Sequence, residues 1–217
     1  MATKAADTRS RRYDPAETRQ RVLEAANMLF STKGFVSTGT ADIARAADVS
    51  EGSIFYHFGS KKNLLIALGR QYGENMIAAM HRGEDLADLP IEVTVRRCFE
   101  YCATHRAWET ILQSGDKCTG GADAQHSHDP EAEPFYRASR EVVVAWVQAH
   151  VRAQLDAQGR NDVNVPVAAS LVYAAVGDAL DRAFNPSADP AEREAIIQEV
   201  IRFLRFGCGY AAMPGGA

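Results

Sequence analysis

Long apolar runs are missing from this chain. Its apolar stretches are broken within roughly 10 residues, whereas a membrane-spanning helix needs ~20, so no membrane span and no membrane partner is expected. The opening MATKAADTRSRRYDPAE has no apolar stretch of the kind a secretory signal requires, which places the chain in the cytoplasm as an expectation. Cysteine is scarce. Cys98, Cys102, Cys118 and Cys208 in 217 residues make no disulfide framework, and reduced thiols are the default. No segment alternates with period two in the manner of a half-buried strand, and there are no internal repeats. Also absent are HExxH, GxSxG, a glycine-rich phosphate loop, or a nucleophile with a base at a telling spacing, so neither an enzyme nor a cofactor is expected.

What is present is ordinary globular composition, 46% hydrophobic and 24% charged, which excludes wholesale disorder. The net charge of −4 is unevenly spread. Residues 1–65 carry 10 Lys and Arg against 7 Asp and Glu, while the remainder carries 14 against 21. A basic amino-terminal segment joined to an acidic remainder points to a polyanionic partner at one end only.

Every long segment has helical periodicity, and the fold class is all-α. Asp14-Pro15-Ala16-Glu17 and Asp189-Pro190-Ala191-Glu192 are near-identical helix starts, each with a capping Asp, Pro at the first helical position and an acidic residue behind it. The first opens a helix closed by Gly34 and the second a helix ending near Gly207. Between them the pattern predicts short helices at 38–46 and 50–57, a longer one at 60–81, and apolar helices at 90–114, 134–157 and 166–184. The 90–114 segment is expected to break near His105. Residues 115–134 lack periodicity and suggest a loop. Four segments result: a basic flexible arm at 1–13 (Arg9, Arg11, Arg12), a small helical head at 14–65, a larger helical part at 66–210, and a tail at 211–217.

The informative stretch is Thr38–Leu65, TGTADIARAADVSEGSIFYHFGSKKNLL. Thr38 is placed to cap a helix that buries Ile43 and Ala44. A tight turn follows at Ala46-Ala47-Asp48, Val49 plugs the angle, Ser50 caps a second short helix, and Phe58 closes a small core. Two short helices joined by such a turn form a helix-turn-helix, which offers its second helix to the major groove of DNA. The outward residues suit that use. Ser50, Glu51, Gly52 and Ser53 are small or polar. Thr38, Thr40, Tyr56, His57 and Lys61 can donate to phosphate oxygens. Phe55 can lie against a thymine methyl and Glu51 can accept from cytosine N4. Phe55 and Tyr56 are adjacent, so at least one must be exposed.

From Arg21 to Leu65, and above all in Val49-Ser50-x-Gly52-Ser53-Ile54-Phe55-Tyr56-His57-Phe58-Gly59-Ser60-Lys61, the sequence resembles the tetracycline-repressor (TetR) family of bacterial transcriptional regulators. The resemblance covers about a fifth of the chain. It implies an amino-terminal three-helix DNA-binding domain followed by a larger helical domain for ligand binding and dimerisation. The function it implies is a homodimeric repressor on a pseudo-palindromic double-stranded DNA operator, released by a small-molecule effector. Two positions depart from the family pattern: Asp48 where Gly is usual in the turn, and Thr40 where an apolar residue is common. Asp tolerates the left-handed backbone better than most residues, so the turn is expected to survive.

In the larger part, Met76, Phe99, Trp108, Leu112, Phe135, Trp146 and Tyr173 are of the types that fill a bundle core or, in an opened bundle, line an apolar pocket. The resemblance selects them as candidate effector contacts. It likewise implies that the last two helices pair with their copies, with Leu171, Ala175, Ala179, Ile197, Ile201 and Leu204 as candidate interface residues. Cys98 and Cys102 stand four apart with His105 three further on, a spacing open to a metal or redox pair, but core packing is the simpler reading and no metal is expected. The cluster Cys118, Asp123, His126, His128 and Asp129 is similarly read as a solvated loop.

Overall fold

The computed structural model describes residues 14–105, 131–185 and 187–207, which hold eight helices and no strand. In chain order they are α1 (Pro15–Lys33), α2 (Thr40–Ala46), α3 (Glu51–Phe58), α4 (Lys61–His81), α5 (Ile91–His105), α6 (Glu133–Ala157), α7 (Val165–Ala183) and α8 (Pro190–Gly207). The second half of the expected 90–114 helix and the loop at 115–130 lie outside the described residues.

The helix ends follow from their capping chemistry. Asp14 Oδ1 accepts from the Ala16 and Glu17 amides at 2.8 and 3.3 Å, with Pro15 in the first turn where no amide is needed. Gly34, at φ +82°, ends α1. Ser50 and Ser60 cap α3 and α4 through the amides of Ser53 and Asn63, at 3.2 and 3.1 Å. The start of α2 differs from expectation. Gly39, not Thr38, holds the cap position, and its amide is received by Asp42. Asp48 carries the left-handed turn at φ +53°, and its carbonyl accepts Arg21 Nη2 at 2.7 Å, which ties the turn back to α1.

Two apolar cores result. The first gathers Val22, Leu23 and Phe30 of α1, Ile43 of α2, Ile54 and Phe58 of α3, and Leu64, Leu65 and Leu68 of α4. It also takes in Ala132 and Phe135, from the start of α6. The second lies between the later half of α4 and α5 to α8, with Met76, Met80, Val95, Phe99, Val147 and Leu204 among its members. At 21 residues, α4 is about 30 Å long and serves both cores.

Helices α4 and α6 pass at backbone contact. A Cβ on Gly69 would lie 2.2 Å from the Phe135 carbonyl oxygen, and one on Gly73 would lie 3.0 Å from that of Ser139. Only glycine permits this approach. Elsewhere polar groups fix the frame. His150 Nε2 donates to the Leu89 carbonyl at 3.0 Å, and Gln154 Nε2 reaches the carbonyls of Leu86, Ala87 and Leu89, so α6 pins the α4–α5 connection. Arg96 grips Glu194 with two bonds of 2.7 and 3.2 Å, and Arg205 pairs with Glu92 at 3.0 Å, joining α5 to α8.

Candidate nucleic-acid interface and ligand cavity

The three helices α1 to α3 present one outward surface built on α3. Its inward residues, Ile54 and Phe58, are spent on the first core, which forces the intervening positions outward. Tyr56 is 77% exposed and Phe55 48%, a costly display of aromatic surface unless a partner covers it. His57 is half-buried, with its ring 5.0 Å from that of Tyr56. Glu51, Gly52 and Ser50 are exposed. Ser50 Oγ and Ser53 Oγ lie 2.8 Å apart, and Thr40 donates a hydrogen bond to the Glu51 carboxylate. Thr40 and Glu51 therefore arrive as a bonded pair across the angle between α2 and α3, which orients the carboxylate at the edge of the surface.

Two expected contacts are placed differently. Thr38 is fully buried. Its Oγ1 donates to the Gly34 carbonyl at 2.8 Å, with that of Leu29 at 3.4 Å, so its hydroxyl secures the loop after α1 and does not reach the phosphate side. Lys61 Nζ donates to the carbonyls of Phe35 and Thr38 at 2.9 and 3.0 Å and stands 4.3 Å from the Phe35 ring centre. The ammonium sits where carbonyl dipoles and a ring face outweigh the unfavourable helix end. The sequence offered no signal for Val36, which is 65% exposed in the same loop and adds apolar surface beside α2. The basic arm at 1–13 lies outside the described residues.

In the second core, α4 to α8 line a cavity of about 450 Å3, a common size for a small-molecule site. Met76, Phe135, Trp146 and Tyr173 line it, as do Tyr72, Cys98, Cys102 and His150, which the sequence had not marked as effector contacts. A period of apolar residues interrupted by one histidine on α6 was the available cue for His150. Phe99 does not line the cavity. It turns to Phe184, with ring centres 6.1 Å apart. Trp108 and Leu112 fall outside the described residues. The Cys98 and Cys102 thiols are free and buried; the neighbouring Cys102 thiol and then burial push the Cys98 thiol pKa well up, away from the reactive thiolate. His105 does not join them, because its Nδ1 lies 2.9 Å from the Tyr101 carbonyl and 2.8 Å from Thr104 Oγ1. Burial depresses the His150 pKa, which favours the neutral ring.

The candidate interface residues divide. Ala179, Ile197, Ile201 and Leu204 are buried within the chain's own core and have no surface to offer a partner. Leu171 is 58% exposed and Ala175 half-buried. The apolar surface left on these helices consists of Val167, Leu171 and Ala174 of α7 and Phe203 of α8, flanked by the half-buried Ile196 and Val200. On each helix these positions follow i, i+4, i+7 and form one stripe. The expected stripe on α8 was thus one position out of phase.

Comparison with known proteins bears on both regions. Residues 22–68 match the family described as "Bacterial regulatory proteins, tetR family". Among curated proteins, the HTH-type transcriptional regulator AcrR of Shigella flexneri is 43% identical over 56 residues, 26% of each chain. The HTH-type transcriptional repressor AcnR of Corynebacterium glutamicum is 37% identical over 62 residues, 29% of this chain and 33% of that protein. These matches span about a quarter to a third of the relatives' length. The HTH-type transcriptional regulator UidR of Escherichia coli K12 is 25% identical over 203 residues, covering 92% of both chains. Among solved structures, Salmonella enterica GusR superposes with a TM-score of 0.60 at 22% identity, covering 88% of this chain and 95% of that one. The multidrug binding protein EbrR, complexed with imidazole, does so at 0.54 and 22% identity, covering 91% and 97%. Residues 22–68 therefore match the tetR-family amino-terminal domain, and the fold is similar to that of these solved structures along nearly the whole chain.

Proposed function

We propose that the chain is a ligand-responsive transcriptional repressor acting in the cytoplasm. Two copies bind a pseudo-palindromic operator, and a small molecule in the cavity releases them. The observation that carries this reading is the path of α4. Leu64, Leu65 and Leu68 in its first turns belong to the core beneath α3, while Tyr72, Met76 and Met80 further along form a wall of the cavity. A molecule that alters that wall acts on the same rigid rod that supports the DNA-facing surface.

In this reading, α3 enters the major groove. Gly52 and Ser53 bring backbone and hydroxyl close to base edges, Glu51 accepts from a cytosine amino group, and Phe55 covers a thymine methyl. Tyr56, His57 and Thr40 face the phosphates. The exposed stripes of α7 and α8 meet their copies across a two-fold axis, since a contiguous apolar surface on the outermost helices is stabilised by self-association. Two heads then sit about one helical turn of DNA apart, ~34 Å or a small multiple of it. Release requires the ligand to favour a head spacing that misfits the operator, and ~1–3 kcal/mol of coupling gives a 5- to 150-fold change in affinity.

The test is selection of genomic fragments by the purified full chain, followed by footprinting. Two protected half-sites related by inverted symmetry are expected. Binding that shows no preference over competitor DNA at moderate salt refutes the reading.

A further inference from the structure

The cavity walls are chemically one-sided, and this bears on what they accept. Three hydrogen-bond donors around it are unspent. The Trp146 indole N–H is buried without an acceptor. The hydroxyls of Tyr173 and Ser139 make no hydrogen bond among the described residues, and the Tyr173 side chain has only its ring engaged, by Arg140 at 5.6 Å. Most of the remaining wall is apolar: Met76, Met80, Val95, Val143, Phe135 and Leu204. A buried donor without a partner is a standing cost, and a guest that brings an acceptor removes it.

Charge is the second constraint. Neither lysine nor arginine lines the cavity among the described residues. His150 adds no cation, because burial disfavours its protonated form and outweighs the opposing effect of the Leu89 carbonyl. A carboxylate or phosphate inside would be a desolvated anion with no counter-charge among the described lining residues. The charged lining groups are Asp178 and Asp181, both exposed on α7, and Asp178 is held by Arg182 at 2.7 Å. No buried carboxylate therefore waits for an ammonium group either. The volume adds a third guide, since about 450 Å3 accommodates a drug-sized molecule.

We infer that the effector is an uncharged, mainly apolar molecule bearing hydrogen-bond acceptor oxygens, such as an ester, ketone or ether, which take the protons of Trp146 Nε1 and the Tyr173 hydroxyl. Anions such as fatty acids and acyl phosphates are disfavoured, since no lysine or arginine among the described residues lines the cavity. This inference rests on the cavity being the effector site in the proposed function. Its test involves no DNA, so failure here and failure to select an operator are separate outcomes.

Two skeletons guard against an accident of shape. Methyl biphenyl-4-carboxylate, biphenyl-4-carboxylate, biphenyl-4-ylmethylammonium and biphenyl form one series; methyl decanoate, decanoate, decylammonium and decane form the other. Each is titrated calorimetrically into the full-length protein at pH 7.5. In at least one series the ester is expected to bind ten-fold or more tighter than either ion. Trp146→Phe and Tyr173→Phe, which keep the rings, are each expected to weaken the ester about five- to ten-fold while leaving the parent hydrocarbon unchanged. Circular dichroism and the thermal midpoint establish that the variants are folded. The inference is overturned if an ion matches or exceeds the ester in both series, or if neither ester binds up to its solubility limit. It is equally overturned if both variants keep the wild-type ratio of ester to hydrocarbon affinity.

Discussion

Replacing Gly69 with alanine tests the packing of α4 on α6 directly. The added Cβ would stand 2.2 Å from the Phe135 carbonyl oxygen and 2.9 Å from its Cα, both backbone atoms that cannot rotate away. Ordinary contact begins near 3.4 Å, so the shortfall is about 1.2 Å (3.4 less 2.2), and the two helices must part by roughly that much. Overpacking of this kind costs ~1–3 kcal/mol, and a rigid obstacle places it at the upper end. Alanine returns up to ~1 kcal/mol through its better helix propensity, leaving a net loss of about 1–2 kcal/mol. Gly177 is the internal comparison, since a Cβ there meets nothing within 4 Å. Gly177→Ala should gain ~0.5–1 kcal/mol from propensity and reduced freedom of the unfolded chain. Urea unfolding at one fixed protein concentration measures both, the concentration being held because association shifts apparent stability. If Gly69→Ala is as stable as the parent, or moves in the same direction as Gly177→Ala, the backbone contact between α4 and α6 is not as described.

Tyr56→Ala and Lys61→Ala should behave oppositely. The first leaves stability within ~0.5 kcal/mol of the parent because the ring touches little, yet weakens operator binding at least ten-fold. The second lowers stability by ~1–2 kcal/mol through loss of two charge-assisted bonds, with urea melts and a DNA titration separating the two effects. Phe203→Glu, with or without Leu171→Glu, places charge on the exposed stripes and should yield a monomer by analytical ultracentrifugation at concentrations where the parent is dimeric; an unchanged mass removes this surface from the interface. Glu194 is held down to a pKa of about 2, chiefly by its bonds to Arg96 and then Gln198. A depressed folded pKa contributes stability above the unfolded value near 4.5 that is lost as pH falls toward 2. The gap in thermal midpoint between the parent and Glu194→Gln should therefore close across that window, and a gap that is constant with pH contradicts the assignment.

Local chemistry explains which features were legible in the sequence. Helix starts at Asp14, Ser50 and Ser60 are set by a side chain and an amide within three residues, and the sequence displays both. Asp48 could be assigned a left-handed turn because few other residues tolerate one. The inward turn of Thr38 was hidden, since its acceptors lie in Gly34 and Leu29 and depend on how the loop folds back. Lys61 was placed correctly on its helix, but its partners in the 35–38 loop are set by tertiary packing. On α8, residues 196, 200 and 203 and residues 197, 201 and 204 form two apolar stripes one position apart. Only the neighbours decide which of them is covered. The cavity was legible as a set of residue types and illegible as a shape, which is why Phe99 was included and His150 was not.

Phe135 and Ala132 lie more than seventy residues beyond α3, yet they complete the core on which that helix rests. A head excised after α4 would lack this keystone, and its fresh apolar wound would invite aggregation. Anyone grafting this DNA-reading unit onto a foreign sensor would have to carry the opening turns of α6 along with it, or supply an equivalent plug from the recipient. The same dependence means that sequence drift at the start of α6 is constrained by the packing of α1 to α3 as well as by the walls of the cavity.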